Sequence, residues 1–324
     1  MSDPSQVSVV RLMRKLHRPE TPVDRHSVSL FRLGEQCNND CPMCSNSGRK
    51  EAFFQSAEEL VSRVGFLARE GFRRVVVTGG EPTIHPGFWE IISALGEHGI
   101  AWDINTHGRT FSDTAFTRRA REEGLERAIV SLHSHLEGPS CVISGVKPAA
   151  HHETVEGIDA LVGEGVFVIV NLVLTTHNAD HLADFVQWCW DRWGAGVNLK
   201  FAFPSTSGKG GEWDGIDLRY GDIQEEVRRS RVLARNLGMK VAFESFPNCV
   251  LGSKRSKNMG RSGFGETHYL DDITGDRVYP IQYIESVLTV FPETCQGCAA
   301  LDVCPGVADT YLRRHGVSEL VPIP

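Results

Sequence analysis

Apolar residues recur along residues 28–203 in two alternating rhythms. Short runs rich in Val, Ile and Leu, at 28–33, 74–78, 100–105, 127–132, 166–174 and 197–203, have the length and composition of buried strands. Between them apolar positions return every third or fourth residue over 56–70, 86–98, 113–123, 152–163 and 180–193, the spacing of helices with one face in a core. The punctuation agrees with the period. Ser56 with Glu59 reads as a capping box opening the first helix, and Gly71, Gly99, Gly124, Gly165 and Gly194 stand where helices should stop. Strand and helix in such alternation predict an α/β fold, a parallel sheet with right-handed crossovers curled into a full or partial barrel. In such sheets the chemistry gathers at the carboxyl ends of the strands.

The rhythm breaks after residue 203. Residues 204–216 are rich in Gly, Ser and Pro, a helix is expected over 223–237, and beyond 241 the chain reads as irregular. The division predicted is a catalytic domain over 1–240 and a small cap over 241–324.

With 41% hydrophobic and 23% charged residues the chain has the composition of a globular protein. A net charge of −7 argues against nucleic acid as the main partner, which usually requires a basic face. No apolar run reaches the length of a membrane span, and no apolar stretch follows Arg11, Arg14 and Lys15, so a cytoplasmic protein with no membrane partner is expected.

Nine cysteines change the picture most. In a reducing compartment clustered thiols are better read as metal or redox ligands than as disulfides. Cys37, Cys41 and Cys44 follow the first strand at C-x3-C-x2-C spacing. Three thiolates can hold one face of an iron–sulfur cube and leave its fourth iron open, whereas a structural zinc site closes at four ligands and none follows nearby. Zinc remains the alternative. A second element, Gly79-Gly80-Glu81-Pro82, ends the second strand. Its glycines would let the backbone approach a ligand, and Glu81 offers an acceptor for an ammonium group.

These two motifs together resemble the radical S-adenosylmethionine (SAM) superfamily, over roughly residues 25–205. The resemblance implies a partial (β/α)6 TIM-like barrel with a [4Fe–4S] cluster on Cys37, Cys41 and Cys44 and SAM on the open iron as co-substrate. It implies reductive cleavage of SAM to a 5′-deoxyadenosyl radical that abstracts hydrogen from substrate, and an external one-electron reductant of flavodoxin or ferredoxin type. It makes Gly79, Gly80, Glu81, Thr106 and Ser131 candidate SAM contacts, with Asn105, His133 and Asn171 as further polar strand ends. His133 and His135 could equally touch substrate or solvent.

Cys295, Cys298 and Cys304, followed by Pro-Gly, again have the look of cluster ligands, with zinc as the lesser alternative. They resemble the short SPASM or twitch caps of radical SAM enzymes, which implies a second, auxiliary [4Fe–4S] cluster. Its fourth ligand could be Cys249, Cys141 or a group from substrate or solvent. Cys189 lies in an apolar helical stripe and reads as core. Cys249 has two competing uses, ligand of the second cluster or free thiol that returns a hydrogen atom to a carbon radical.

A short cap and a lone thiol resemble the radical SAM epimerases of aminoglycoside biosynthesis. That implies inversion of a sugar carbon, with hydrogen returned by Cys249. The carboxylates Glu212, Asp214, Asp217, Glu244, Asp271 and Asp272 would suit such a polyamine substrate. The alternative is a dehydrogenase or peptide-modifying, cross-linking enzyme whose second cluster accepts an electron, with Cys249 as its ligand. A non-enzymatic zinc protein with both cysteine groups as folding staples is a third class.

Overall fold

A computed structural model describes residue 23 and residues 27–44, 53–206, 208–252, 267–270, 278–280 and 289–324. Asp271 and Asp272 lie outside the described residues, as do Arg11, Arg14 and Lys15.

All six expected strands form: β1 (Val28–Arg32), β2 (Arg74–Thr78), β3 (Ala101–Thr106), β4 (Leu125–Ser131), β5 (Phe167–Val173) and β6 (Val197–Ala202). A seventh, β7 (Val241–Glu244), arises where the sequence pattern leaves the chain to the cap, and it pairs in parallel with β6. These seven parallel strands follow one another across the sheet in chain order. Beyond β1 the sheet continues into β8 (Thr267–Leu270), parallel to β1, and β9 (Val278–Pro280), antiparallel to β8. The architecture is that of a partial TIM-like barrel.

Strand register divides the side chains into two layers, because successive residues point to opposite faces. Val75, Val77, Ile104, Val130, Val168, Val170, Leu199 and Phe201 fall on one face and are at most 1% exposed. They pack under the helices, and each fully buried aliphatic side chain of this kind contributes about 1.5–3 kcal/mol. The other face is mixed: Asp103 and Asn105 on β3, Ser131 on β4, Asn171 on β5, Lys200 on β6 and Glu244 on β7 share its rows with Val76, Ile129 and Ile169. This is the inside of the barrel. Its amino-terminal end is closed by Asp103, which accepts from Arg74 (Nη1 to Oδ1, 2.8 Å) and from Arg127 (Nε to Oδ2, 3.2 Å).

The helices follow the expected caps. In α1 (Ala57–Arg69) the Glu59 amide donates to Ser56 Oγ at 3.2 Å and the Ser56 amide to Glu59 Oε2 at 3.2 Å. After α2 (Phe88–Glu97) and α3 (Thr114–Glu122) comes a helix that the sequence pattern misses, α4 (Glu137–Ser144). Gly138 and Pro139 hide it, although proline is tolerated in a first turn, where its missing N–H has no partner to lose. Cys141 therefore sits on a helix and not in a rim loop. Next follow α5 (Pro148–Gly163), α6 (Leu182–Trp193) and α7 (Tyr220–Leu237).

In the carboxyl-terminal segment, β10 (Thr289–Val290) pairs antiparallel with β11 (Val307–Ala308), which runs into α8 (Asp309–His315). Tyr311 of α8 stacks on Tyr220 of α7 with ring centroids 4.1 Å apart, and the Tyr220 amide donates to the Tyr311 hydroxyl at 3.0 Å. Among the described residues no helix is long and apolar enough to cross a membrane.

Candidate metal centres

The cysteine loop leaves β1 pressed against the loop that leaves β2. The Gly80 amide donates to the Gly34 carbonyl (3.0 Å) and the Glu81 amide to the Gln36 carbonyl (2.8 Å), so the parallel pairing of β1 and β2 continues past both strand ends. A Cβ at Gly79 would lie 2.4 Å from the Gly34 oxygen, and one at Gly80 would lie 2.1 Å from the Gln36 oxygen. The glycines are required by the approach of one loop to the other.

Glu81 has partners within the chain as well. Its carboxylate, 1% exposed, is turned inward and its oxygens are engaged. Thr83 donates through its amide (3.1 Å) and hydroxyl (2.6 Å), Thr106 through its hydroxyl (2.8 Å to Oε1) and His107 through its amide (2.9 Å). Glu81 thus joins the loops after β2 and β3. The Thr106 hydroxyl donates to the Glu81 carboxylate and accepts from the Gly108 amide at 2.9 Å, so the two candidate side chains belong to one hydrogen-bonded group.

The turn after β3 reaches the cysteine loop from its other side. His107 Nε2 lies 2.6 Å from Asn38 Oδ1, and Arg109 Nη1 donates to the Asn38 carbonyl (3.1 Å) and to Asn39 Oδ1 (3.0 Å). Arg109 is held in turn by Glu153 of α5, Nε to Oε2, at 2.6 Å. The end of α4 supplies a third wall: the Cys41 thiol donates to the Ser144 carbonyl at 3.4 Å, and a Cβ at Gly145 would lie 2.1 Å from the Asp40 oxygen.

Cys37, Cys41 and Cys44 come together in this cradle. Burial pushes the Cys37 thiol up to about 11, opposed by the Asn39 amide that donates to its sulfur. Burial, followed by the neighbouring Cys44 and Cys37, pushes Cys41 up to about 12. The raised Cys37 and Cys41 thiols would be stabilised as thiolates by a bound metal, which supplies the positive charge that they lack here. The donor set fits an iron–sulfur cluster with one unprotected iron.

A second gathering lies at the carboxyl-terminal segment. Cys249, five residues beyond β7, lines an open pocket together with Cys295, Cys298 and Cys304. The remaining wall is mostly apolar, including Pro247, Phe291, Leu320 and Pro322. Two sulfurs already accept backbone N–H groups, Cys304 from Asn248 and Cys298 from Ile323, each at 3.4 Å. Cys141 is not part of this lining. Cys189 is fully buried in the core, as its apolar stripe predicts. Among the described residues no three metal-binding side chains close tightly enough to share one ion.

The other candidates divide. Ser131 and Asn171 are register partners on the inner face, and Asn105 Oδ1 and Asn171 Oδ1 are buried without a hydrogen-bond partner among the described residues. His133 is buried and its Nδ1 accepts the Val173 amide at 3.2 Å; burial lowers its pKa to about 4, so it is a neutral structural acceptor. His135 packs on Phe185 and Trp188 of α6. Of the acidic candidates, Glu212 and Asp214 are exposed, Asp217 pairs with Arg314 at 3.0 Å, and Glu244 pairs with Lys200 at 2.7 Å. Asn38, His107 and Arg109 are the site residues that sequence reasoning missed. Their only signal is position, in the cysteine loop and just past the third strand.

Residues 31–189 match the model of the radical SAM superfamily. The mycofactocin maturase MftC of Mycobacterium ulcerans is 26% identical over 272 residues, which are 81% of this chain and 70% of that protein. A "Probable GTP 3',8-cyclase" of Sulfolobus acidocaldarius is 29% identical over 62% of this chain, and one of Sulfurisphaera tokodaii is 32% identical over 51%. The chain spans 63% and 54% of the length of these two cyclases. Streptococcus suis SuiB bound to S-adenosylmethionine superposes with a TM-score of 0.62 at 13% identity, covering 92% of this chain and 76% of SuiB. The anSMEcpe structure with bound AdoMet gives 0.55 at 16% identity, covering 72% of this chain and 65% of that one. At these identities the superpositions establish the fold. Radical SAM enzymes use a [4Fe–4S] cluster and SAM, and relatives of the SPASM type carry auxiliary clusters.

Proposed function

We propose, on the match of residues 31–189 to the radical SAM superfamily model, that the chain removes a hydrogen atom from a carbon of its substrate and settles the fate of that carbon at the cavity holding Cys249. When bound, the cluster on Cys37, Cys41 and Cys44 and SAM supply the abstracting 5′-deoxyadenosyl radical, given an electron from an external donor. Cys37, Cys41 and Cys44 hold the iron, and the Glu81 hub keeps their loop in place. The carrying observation is that Cys249 shares one cavity with Cys295, Cys298 and Cys304.

With four thiolates, a cluster is fully ligated and can act only as an electron carrier. On this reading Cys249 is a ligand, the substrate carbon loses an electron after losing hydrogen, and the product is dehydrogenated or cross-linked. The relatives favour it: one is named for mycofactocin maturation, and a solved SuiB complex contains a precursor peptide.

A second reading is favoured by the placing of Cys249 itself, half-buried five residues past β7 at the barrel's carboxyl rim. There a thiol hydrogen could be returned to the opposite face of the carbon, inverting it, and the sulfur radical left behind would lie beside cysteines able to hold its reductant. The substrate class is then an aminoglycoside, with neomycin C converted to neomycin B at C-5‴.

Anaerobic turnover with dithionite, SAM and either neomycin C or a cysteine-containing peptide in D2O, read by mass spectrometry, separates the two. A product lighter by two hydrogens supports oxidation. An isomer carrying one carbon-bound deuteron, abolished by Cys249→Ala, supports epimerisation. SAM left uncleaved with reduced clusters in place would sink both.

A further inference from the structure

We propose that Arg109 and His107 are positioning residues that clamp the tip of the cysteine loop, so that Cys37 meets iron already in place. The inference rests on the radical SAM reading of that loop and adds residues outside its cysteines.

The tip is the three-residue arch Asn38-Asn39-Asp40 between Cys37 and Cys41. Polar and partly exposed, it has no apolar anchor of its own. Cys37 is the exposed member of the three thiols, while Cys41 is fixed from behind by the Ser144 carbonyl. The Asp40 end of the arch is packed against Gly145, and the contacts at Asn38 and Asn39 bear on where Cys37 points.

Both contacts come from one turn. The Arg109 guanidinium spans the arch, donating from Nη1 to the Asn38 carbonyl and to Asn39 Oδ1, while Nε donates to Glu153. A planar guanidinium that donates to two groups of the arch is a more rigid support than a lysine ammonium on a flexible stem. His107 takes Asn38 Oδ1 with its ring and Glu81 Oε2 with its amide. Arch, Glu81 hub and α5 are thus one connected network. Gly108 lets the turn come this close, with φ of 84° and a Cβ that would lie 2.6 Å from Val130.

Outer partners that orient metal ligands typically change metal affinity by ~10- to 100-fold when removed. The test uses the reconstituted full-length chain and follows iron release to a ferrous chelator, the first centre being the portion missing from Cys37→Ala. Arg109→Gln is expected to release that iron at least ~10-fold faster and to broaden the electron paramagnetic resonance signal that responds to SAM. Arg109→Lys should fall between Arg109→Gln and wild type. Glu153→Gln keeps the donors on the arch and should change the rate by less than ~3-fold, since it removes only a half-exposed ion-pair partner. Release from Arg109→Gln at the wild-type rate would overturn the proposal. So would equal acceleration by Glu153→Gln, which would mean that the tie to α5 matters and the arch does not. If wild-type protein forms no SAM-responsive centre, the radical SAM reading fails and the clamp falls with it.

Discussion

The two thiol groups are built in opposite ways. Cys37, Cys41 and Cys44 sit in a loop whose backbone is zipped to its neighbour, whose walls include the buried carboxylate of Glu81, and whose tip is held by His107 and Arg109. Cys295, Cys298 and Cys304 sit on 3-10 turns and a loop, Glu293–Cys295 and Leu301–Val303, between two-residue strands, and Cys249 comes from a separate segment. The first site is organised by the protein before iron arrives. The second is held among the described residues by two amide-to-sulfur hydrogen bonds and apolar walls, and on the proposed reading a cluster would supply further order.

Glycine gives the sharpest way to break this contrast. Gly80→Ala drives a methyl group to 2.1 Å from the Gln36 carbonyl, backbone against backbone with nothing flexible to yield. It should abolish iron at the first centre, and overpacking of this kind costs about 1–3 kcal/mol of stability. Gly297→Ala in the cap has open space and meets only the strain of φ 78°, about 1 kcal/mol. Its iron content should match wild type.

Removing the metal should act the other way round. Stripping iron with a chelator should raise amide hydrogen exchange in residues 293–304 on the order of tenfold or more, since local opening follows the few contacts that remain. Residues 28–32 and 74–81, paired through their backbones, should change by less than about twofold. Equal changes in both regions would erase the distinction.

A smaller effect is expected at the far end of the barrel. Asp103 has no exposed side-chain surface and is shared by Arg74 and Arg127, themselves 29% and 21% exposed. Losing one partner of a buried ion pair costs 3–5 kcal/mol at full burial, and partial exposure of the arginines lowers this to about 2 kcal/mol for Asp103→Asn. Thermal melting should show the loss, while the iron content of both centres stays unchanged.

Much of the barrel was legible because its signals are local. Period, capping box and glycine stops fix β1 to β6 and most helices from residues adjacent in sequence. The strand β7 escaped because four residues with one charged end carry too little period, and only pairing with β6 makes them a strand. The helix α4 escaped because Gly138 and Pro139 outweigh its apolar side locally. In the first site the cysteines are legible from spacing alone. The duties of Glu81, Thr106 and Arg109 are not, since each is set by a partner from 25 to 71 positions away. The second site was legible as a thiol group, but the convergence of Cys249 with residues 46 to 55 positions later belongs to the tertiary fold.

The most direct test is to remove one group of cysteines and count iron at the other. Reconstituted Cys37→Ala/Cys41→Ala/Cys44→Ala protein, analysed for iron and sulfide and by Mössbauer spectroscopy, should keep about half of the wild-type iron as a cubane cluster that does not respond to SAM. Further replacement of Cys249, Cys295, Cys298 and Cys304 should then bring it to zero. A triple variant already without iron would contradict the account, because the chain would then hold a single cluster, on the barrel rim.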